Sequence, residues 1–301
     1  YLCQSIINLE MLIFAADAAL STSIEAIKGS YVAFDKRIHD VRPQLGQSIS
    51  ASRIRSFLDN SEINDSHVDC DRVQDSYSFR CAPQVHGPMI DVLREARRIV
   101  NIEINSATDN PLVFSSNGKP EVISGGNFHG QILAIISDNM AICIHEIASI
   151  SERRINQVLD PQWSGQKAFL ANDEGLESGL MIVQYVAAAV IAELSLLSNP
   201  VSTTNVPVSM GKEDHVSMGA TASYRTFKAS KLLSSVISSE LICSCQALDN
   251  ISEKPSKSVG KIHYWLRNYV SKIEADRSTT KDTEIIAKLL LTPEFIEIFR
   301  E

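Results

Sequence analysis

Aromatic side chains are scarce at 6% of the sequence, and no run of lysine or arginine is long enough to track a phosphate backbone. With 36 acidic against 28 basic residues the formal charge is -8, so nucleic acid is not expected as a partner. Cysteine pairs at metal-ligand or disulfide spacing are lacking as well. Cys3, Cys70, Cys81, Cys143, Cys243 and Cys245 are scattered, and three of them fall in apolar helical stretches, which favours a reducing, cytoplasmic setting over a disulfide framework. The single C-x-C at Cys243 and Cys245 has no second pair, so no metal site is expected. There is no initiator methionine and no basic segment leading into a cleavage site, so the chain is expected to begin within a longer protein.

Several catalytic signatures are missing too. His145-Glu146 opens like the zinc-protease motif, but Ser149 stands where the second histidine belongs. No G-x-S-x-G and no dinucleotide-binding glycine fingerprint occur, which removes the usual supports for hydrolase and dehydrogenase chemistry. No long apolar run is free of polar interruption. Residues 180–198 come nearest, but Gln184, Glu193 and Ser195 break the run, and a helix buried on all sides is expected rather than a membrane span.

What is present is helical periodicity. The hydrophobic share of 44% excludes disorder and supports a large core. Two short helices are expected at 5–20 and 22–28, a polar stretch at 34–47, a helix at 51–58 and a loop over 60–71. Pro83 and Pro88 sit where a first turn tolerates a missing N–H, ahead of an amphipathic repeat of Met89, Leu93, Ala96 and Val100. Residues 112–114 and 122–123, around Asn117-Gly118, carry the one hairpin signal. Long helices are expected at 128–159, 179–198 and 216–248, with shorter ones at 259–275, at 282–291 and after Pro293. Without a composition break or repeat, residues 1–301 read as a single all-α unit, a long antiparallel helical bundle with one short hairpin. Helices of such length with apolar seams suggest bundling between subunits.

Three polar segments interrupt this pattern. Residues 74–80, Gln-Asp-Ser-Tyr-Ser-Phe-Arg, put an amide, a phenol and a guanidinium beside a proline-initiated helix. Such a cluster can grip a small carboxylate through the planar arginine fork, or it can be a surface loop whose arginine pairs with a nearby acid. Residues 124–130, Ser-Gly-Gly-Asn-Phe-His-Gly, allow a close backbone approach to a ligand, or form a glycine turn with Asn127 near the helix cap. Lys212-Glu213-Asp214-His215 crowds two carboxylates beside an imidazole before a long helix, a pattern that capping explains as well as catalysis does. His145 reads as a locally satisfied helix residue.

Taken in order, these segments resemble the histidine ammonia-lyases of the aromatic amino-acid lyase family across nearly the whole chain. The resemblance is carried by Phe34-Asp35-Lys36-Arg37-Ile38-His39 with Arg42-Pro43 and Gly46-Gln47, by residues 73–81, and by Ser106-Ala107-Thr108-Asp109-Asn110-Pro111. It continues through residues 123–129, Ser151-Glu152-Arg153-Arg154 and Glu213-Asp214-His215-Val216-Ser217-Met218.

The resemblance implies an all-α fold of the L-aspartase/fumarase-like superfamily and a homotetramer whose active sites each draw on three chains. It also implies a 4-methylidene-imidazol-5-one electrophile made from an Ala-Ser-Gly segment, and conversion of L-histidine to urocanate and ammonia. By motif, Arg80 would bind the substrate carboxylate, Tyr77 would lie beside the reacting atoms and Gln74 would hydrogen-bond near the cofactor. Phe128 would line the pocket, and Glu213 would face the imidazole or the amine; its carboxylate is the feature that favours histidine over phenylalanine or tyrosine.

Two departures stand out. Ala-Ser-Gly does not occur in these residues, so the chain alone is expected to be inactive, and Lys212 stands where several relatives carry glutamine. The alternatives left open are a phenylalanine or tyrosine ammonia-lyase or aminomutase, and a non-catalytic helical assembly subunit.

Overall fold

The computed structural model describes residues 1–67 and 74–300. Cys70, Val73 of the 73–81 motif and the last part of the expected 60–71 loop lie outside the described residues. The chain opens with one continuous helix, α1 (Leu2–Ala26), rather than two short ones. Ser21 and Thr22, which suggested a break, donate back to the Asp17 and Ala18 carbonyls at 2.8 and 2.9 Å, so their hydroxyls are satisfied inside the helix. The polar stretch that follows folds into α2 (Lys36–Asp40) and the start of α3 (Leu45–Phe57), and α4 (Glu62–Asp65) is a single turn.

After the short α5 (Tyr77–Arg80) comes α6 (Ala82–Glu103), with Pro83 in its first turn and Pro88 inside it. Strands β1 (Leu112–Ser116) and β2 (Lys119–Ile123) pair antiparallel, with Leu112 opposite Ile123. Asn117 and Gly118 both have positive φ, as the two-residue turn requires. The long helices follow as α7 (Gln131–Leu159), α9 (Met181–Leu197) and α10 (Gly219–Leu248), with the one-turn α8 (Pro161–Ser164) after α7. The tail adds α11 (Lys257–Arg267), α12 (Thr280–Leu289) and α13 (Glu294–Glu297).

Consecutive long helices alternate in direction. α6 runs against α1, with Arg97 meeting Glu10 at one end and His86 meeting Asp17 further along. The end of α9 returns to the start of α10, where Arg225 donates to the Leu196 carbonyl at 2.7 Å. That alternation leaves α7 and α10, two apart in order, side by side and pointing the same way. Thr226 binds the Ser137 carbonyl at one end, and Arg154 meets Glu240 at the other.

The bundle therefore has two distinct ends, joined by α7. At 1.5 Å per residue its 29 residues span about 43 Å. α1 and α7 are long and apolar enough to cross a membrane, but they bury Asp17, Glu25, Glu152 and Arg154 within the bundle and pack as core helices.

One expectation fails at α9. Only Val183, Ala187 and Leu194 of this helix are buried, while Ile182, Tyr185, Val186 and Leu196 are exposed. The helix packs on α7 and α10 along one stripe, and nothing among the described residues covers its outer face.

Candidate active site

The 74–80 segment lies at the C-terminal end of α7. Gln74 and Tyr77 are exposed, and neither side chain has a hydrogen-bond partner among the described residues. Asp75 is buried and accepts the Ser30 backbone N–H at 2.6 Å, which fixes the strand of chain leading into α5. Arg80 donates from Nε to the Asp75 carbonyl at 3.0 Å, and its guanidinium carbon lies 4.5 Å from the centre of the Tyr77 ring. This is cation–π contact distance, and it holds the two side chains together.

The fork of Arg80 is thus oriented through its inner nitrogen, and its two terminal nitrogens have no partner among the described residues. Arg80 forms no ion pair among the described residues; Asp69 and Asp71 lie outside them. A free guanidinium fork can take a carboxylate through two parallel N–H bonds.

Beneath this turn lies a buried polar network that includes Ser151 and Arg154 of the 151–154 segment, to which the sequence reading gave no role in the site. Arg154 and Glu240 are fully buried and joined by two bonds, Nε to Oε1 at 2.5 Å and Nη2 to Oε2 at 2.8 Å. Ser151 and Ser23 complete the Glu240 carboxylate at 2.5 and 2.9 Å. The third arm of Arg154, Nη1, donates to the Ser78 carbonyl inside α5 at 3.2 Å. A signal for this pair was available. Arg154 falls on the same helical phase as Ile147, Ser151 and Val158, where only buried side chains are expected.

The other candidate residues lie at the opposite end of α7. Phe128 is exposed and, with Glu103, Ile104, Thr108, Asn127 and His129, lines an open cleft of about 280 Å³. Glu213 is exposed on a neighbouring loop, held by reciprocal backbone bonds with Val208 at 3.0 and 3.4 Å. Between them Ser209, Met210 and Gly211 all have positive φ, at 50°, 54° and 80°. Left-handed non-glycine residues carry a conformational cost, and here they make the tight reversal that presents Glu213.

The two loops are stitched together: His129 Nε2 meets the His215 carbonyl at 3.1 Å, and the Gly130 N–H donates to Ser217 Oγ at 3.1 Å. Capping does not account for the carboxylates. α10 begins at Gly219, with Met218 as its N-cap and no acidic residue in its first turn. Asn127 likewise does not cap α7, which starts from Gly130; its side chain binds the Ala107 carbonyl at 3.3 Å.

The structure therefore brings Gln74, Tyr77 and Arg80 together, and brings Phe128 and the Glu213 loop together, but sets the two groups about 40 Å apart along α7. Of the remaining polar candidates, His145 lies 3.3 Å from Glu146, and Cys243 and Cys245 are buried thiols whose pKa values burial pushes up. No cluster of three metal-binding side chains occurs among the described residues.

Comparison with known proteins gives this arrangement its context. A family model described as aromatic amino acid lyase matches residues 1–268. The chain is 41% identical over 292 residues to the histidine ammonia-lyase of Myxococcus xanthus, covering 97% of this chain and 57% of that protein. The crystal structure of histidine ammonia-lyase from Trypanosoma cruzi superposes with a TM-score of 0.90 at 35% identity, covering 98% of this chain and 56% of that one. The tyrosine aminomutase structure from Streptomyces globisporus gives 0.91 at 31% identity, covering 99% and 60%. The chain thus spans little more than half the length of these relatives, and its helical architecture is that of the L-aspartase/fumarase-like superfamily. It belongs to the aromatic amino acid lyase family.

Proposed function

We propose that these residues form part of a histidine ammonia-lyase, converting L-histidine to urocanate and ammonia in an oligomer whose active sites each draw on several copies of the chain. The observation that carries the composite site is that the segments of Arg80 and Glu213 are anchored at opposite ends of α7, at Gln157 and Gly130, about 40 Å apart by helical rise. A single amino-acid substrate spans a small fraction of that, so both groups act on one substrate only if different chains supply them. The outward face of α9, with Ile182, Tyr185, Val186 and Leu196 exposed, offers the apolar surface that an assembly such as a homotetramer would cover. Residues 1–301 are read as one unit of that subunit. The free thiols among the described residues suit the cytoplasm.

In this reading Arg80 binds the substrate carboxylate through its unpartnered terminal nitrogens, and Tyr77, held against that guanidinium, places its hydroxyl beside the reacting carbons. Glu213 accepts the N–H of the imidazole, and Phe128 lines the cleft that excludes water from the ring. A carboxylate facing the ring suits imidazole better than benzene or phenol, which is why histidine is favoured. The family's methylidene-imidazolone would come from residues outside these 301; when bound, it supplies the electron sink that makes a weakly acidic β-proton removable. The residues here suit such a group, because the Gln74 amide and the Tyr77 hydroxyl are exposed donors without partners among the described residues and a polar heterocycle can use both.

The test is urocanate formation by the full-length polypeptide, followed by absorbance. A rise with histidine is the expected result. No rise from folded protein, or cinnamate or coumarate formed instead from phenylalanine or tyrosine, overturns the substrate assignment.

A further inference from the structure

The Arg154–Glu240 pair does more than fill the core between α7 and α10. Both side chains are fully buried, and a buried ion pair adds little net stability over apolar packing of the same volume, since desolvation offsets most of the attraction. What distinguishes this pair is the direction of its spare arm. Four of the five side-chain hydrogen bonds of Glu240 and Arg154 tie α1, α7 and α10 to one another; the fifth reaches past these helices to the Ser78 carbonyl.

Ser78 lies in α5, a helix of only four residues, and the carbonyls of a helix's last turn lack intrahelical donors. A charged donor there satisfies one of them and opposes the negative end of the short helix. One turn further along α7, Gln157 accepts the hydroxyl of Ser76, the N-cap of α5, at 2.8 Å. Ser76 makes no side-chain cap of its own helix; besides Gln157, its Oγ meets only the Ser78 hydroxyl, at 2.9 Å, among the described residues. Arg154 and Gln157 therefore hold the second residue and the N-cap of the turn that carries Tyr77 and Arg80.

We propose that Arg154, locked by Glu240, is a positioning residue for Arg80: it fixes α5 so that the Arg80 fork meets the substrate carboxylate. This rests on the lyase reading given above. Lysine at position 154 keeps the charge that neutralises Glu240 but has no planar fork to reach Glu240 and Ser78 together.

In the full-length enzyme, Arg154→Lys is expected to raise the KM for L-histidine about tenfold with kcat changed less than about twofold. Helix content and oligomer mass stay as in the wild type. Inhibition by free imidazole, which has no carboxylate, is the control that separates positioning from general loosening, and it is expected to stay within about twofold. An unchanged KM, or a parallel loss of imidazole inhibition, overturns the positioning role.

If Arg154→Lys does not assemble, Gln157→Ala tests the same clamp from the half-buried side. A KM raised about threefold with imidazole inhibition intact supports the proposal, and an unchanged KM overturns it. Wild-type protein that forms no urocanate overturns the lyase reading itself, which is a different result from an active wild type whose variants behave alike.

Discussion

The two ends of α7 are built on different principles. At the Arg80 end the candidate turn rests on a fully buried ion pair and on hydrogen bonds with two residues of α7, so its backbone is fixed before anything binds. At the Glu213 end the loops are exposed, joined by backbone contacts to a histidine and a serine, and shaped by three left-handed residues. The first end suits a demanding geometric task, the bidentate capture of a carboxylate. The second is an open rim that other chains or segments can complete.

If this contrast is right, damage to the pair beneath Arg80 has the largest effect on the fold. In the full-length polypeptide Glu240→Ala leaves the Arg154 charge buried without its partner and is expected to cost about 3–5 kcal/mol, read from urea denaturation. A loss below 1 kcal/mol would mean that the pair is dispensable.

Glu25, at the same end of the bundle, comes next. Burial pushes its carboxyl up to about 7, although the Ser256 N–H donates to it at 3.0 Å. A carboxyl whose pKa is raised in the folded state stabilises the fold below its unfolded value, and that contribution is lost as pH rises from about 4.5 to about 7. Glu25→Gln should remove this slope and stabilise the protein at pH 8 by about 3 kcal/mol. A wild-type midpoint that rises between pH 5 and 7, or a variant that keeps the slope, would contradict the assignment.

Arg80→Ala follows. Loss of the carboxylate grip should raise the KM for histidine about 30- to 100-fold, equivalent to about 2–3 kcal/mol, with little change in unfolding midpoint. A normal KM would make Arg80 structural. The smallest effect on stability belongs to Glu213→Gln at the exposed rim. It should change the unfolding free energy by less than about 0.5 kcal/mol while lowering kcat/KM for histidine. A large loss of stability there would erase the distinction between the two ends.

How much of this the sequence revealed follows the same division. The hairpin was legible from Asn117-Gly118 and its flanking apolar residues, because one local turn type fits that pair. The three long helices were legible from their periodicity, with boundaries displaced by up to three residues at their starts. α1 was misread as two helices because Ser21 and Thr22 look like breakers until their hydroxyls are seen to bond within the helix.

α9 was misread as buried because its composition is apolar on all sides, and composition alone does not say whether neighbours come from the same chain. The site segments were legible as segments. Their separation was not, because it depends on which end of α7 each reaches. The phase of Arg154 marks it as buried, but its partner Glu240 lies 86 residues away and no local pattern links the two.

The most direct test of the composite site is complementation between chains. Full-length Arg80→Ala and Glu213→Ala chains, co-expressed with different tags and purified as mixed oligomers, are assayed below the wild-type KM. If the two ends of one chain serve different active sites, some sites in the mixture hold both intact residues, and urocanate formation rises well above that of either parent. Activity no higher than the parents in verified mixed oligomers would contradict the account.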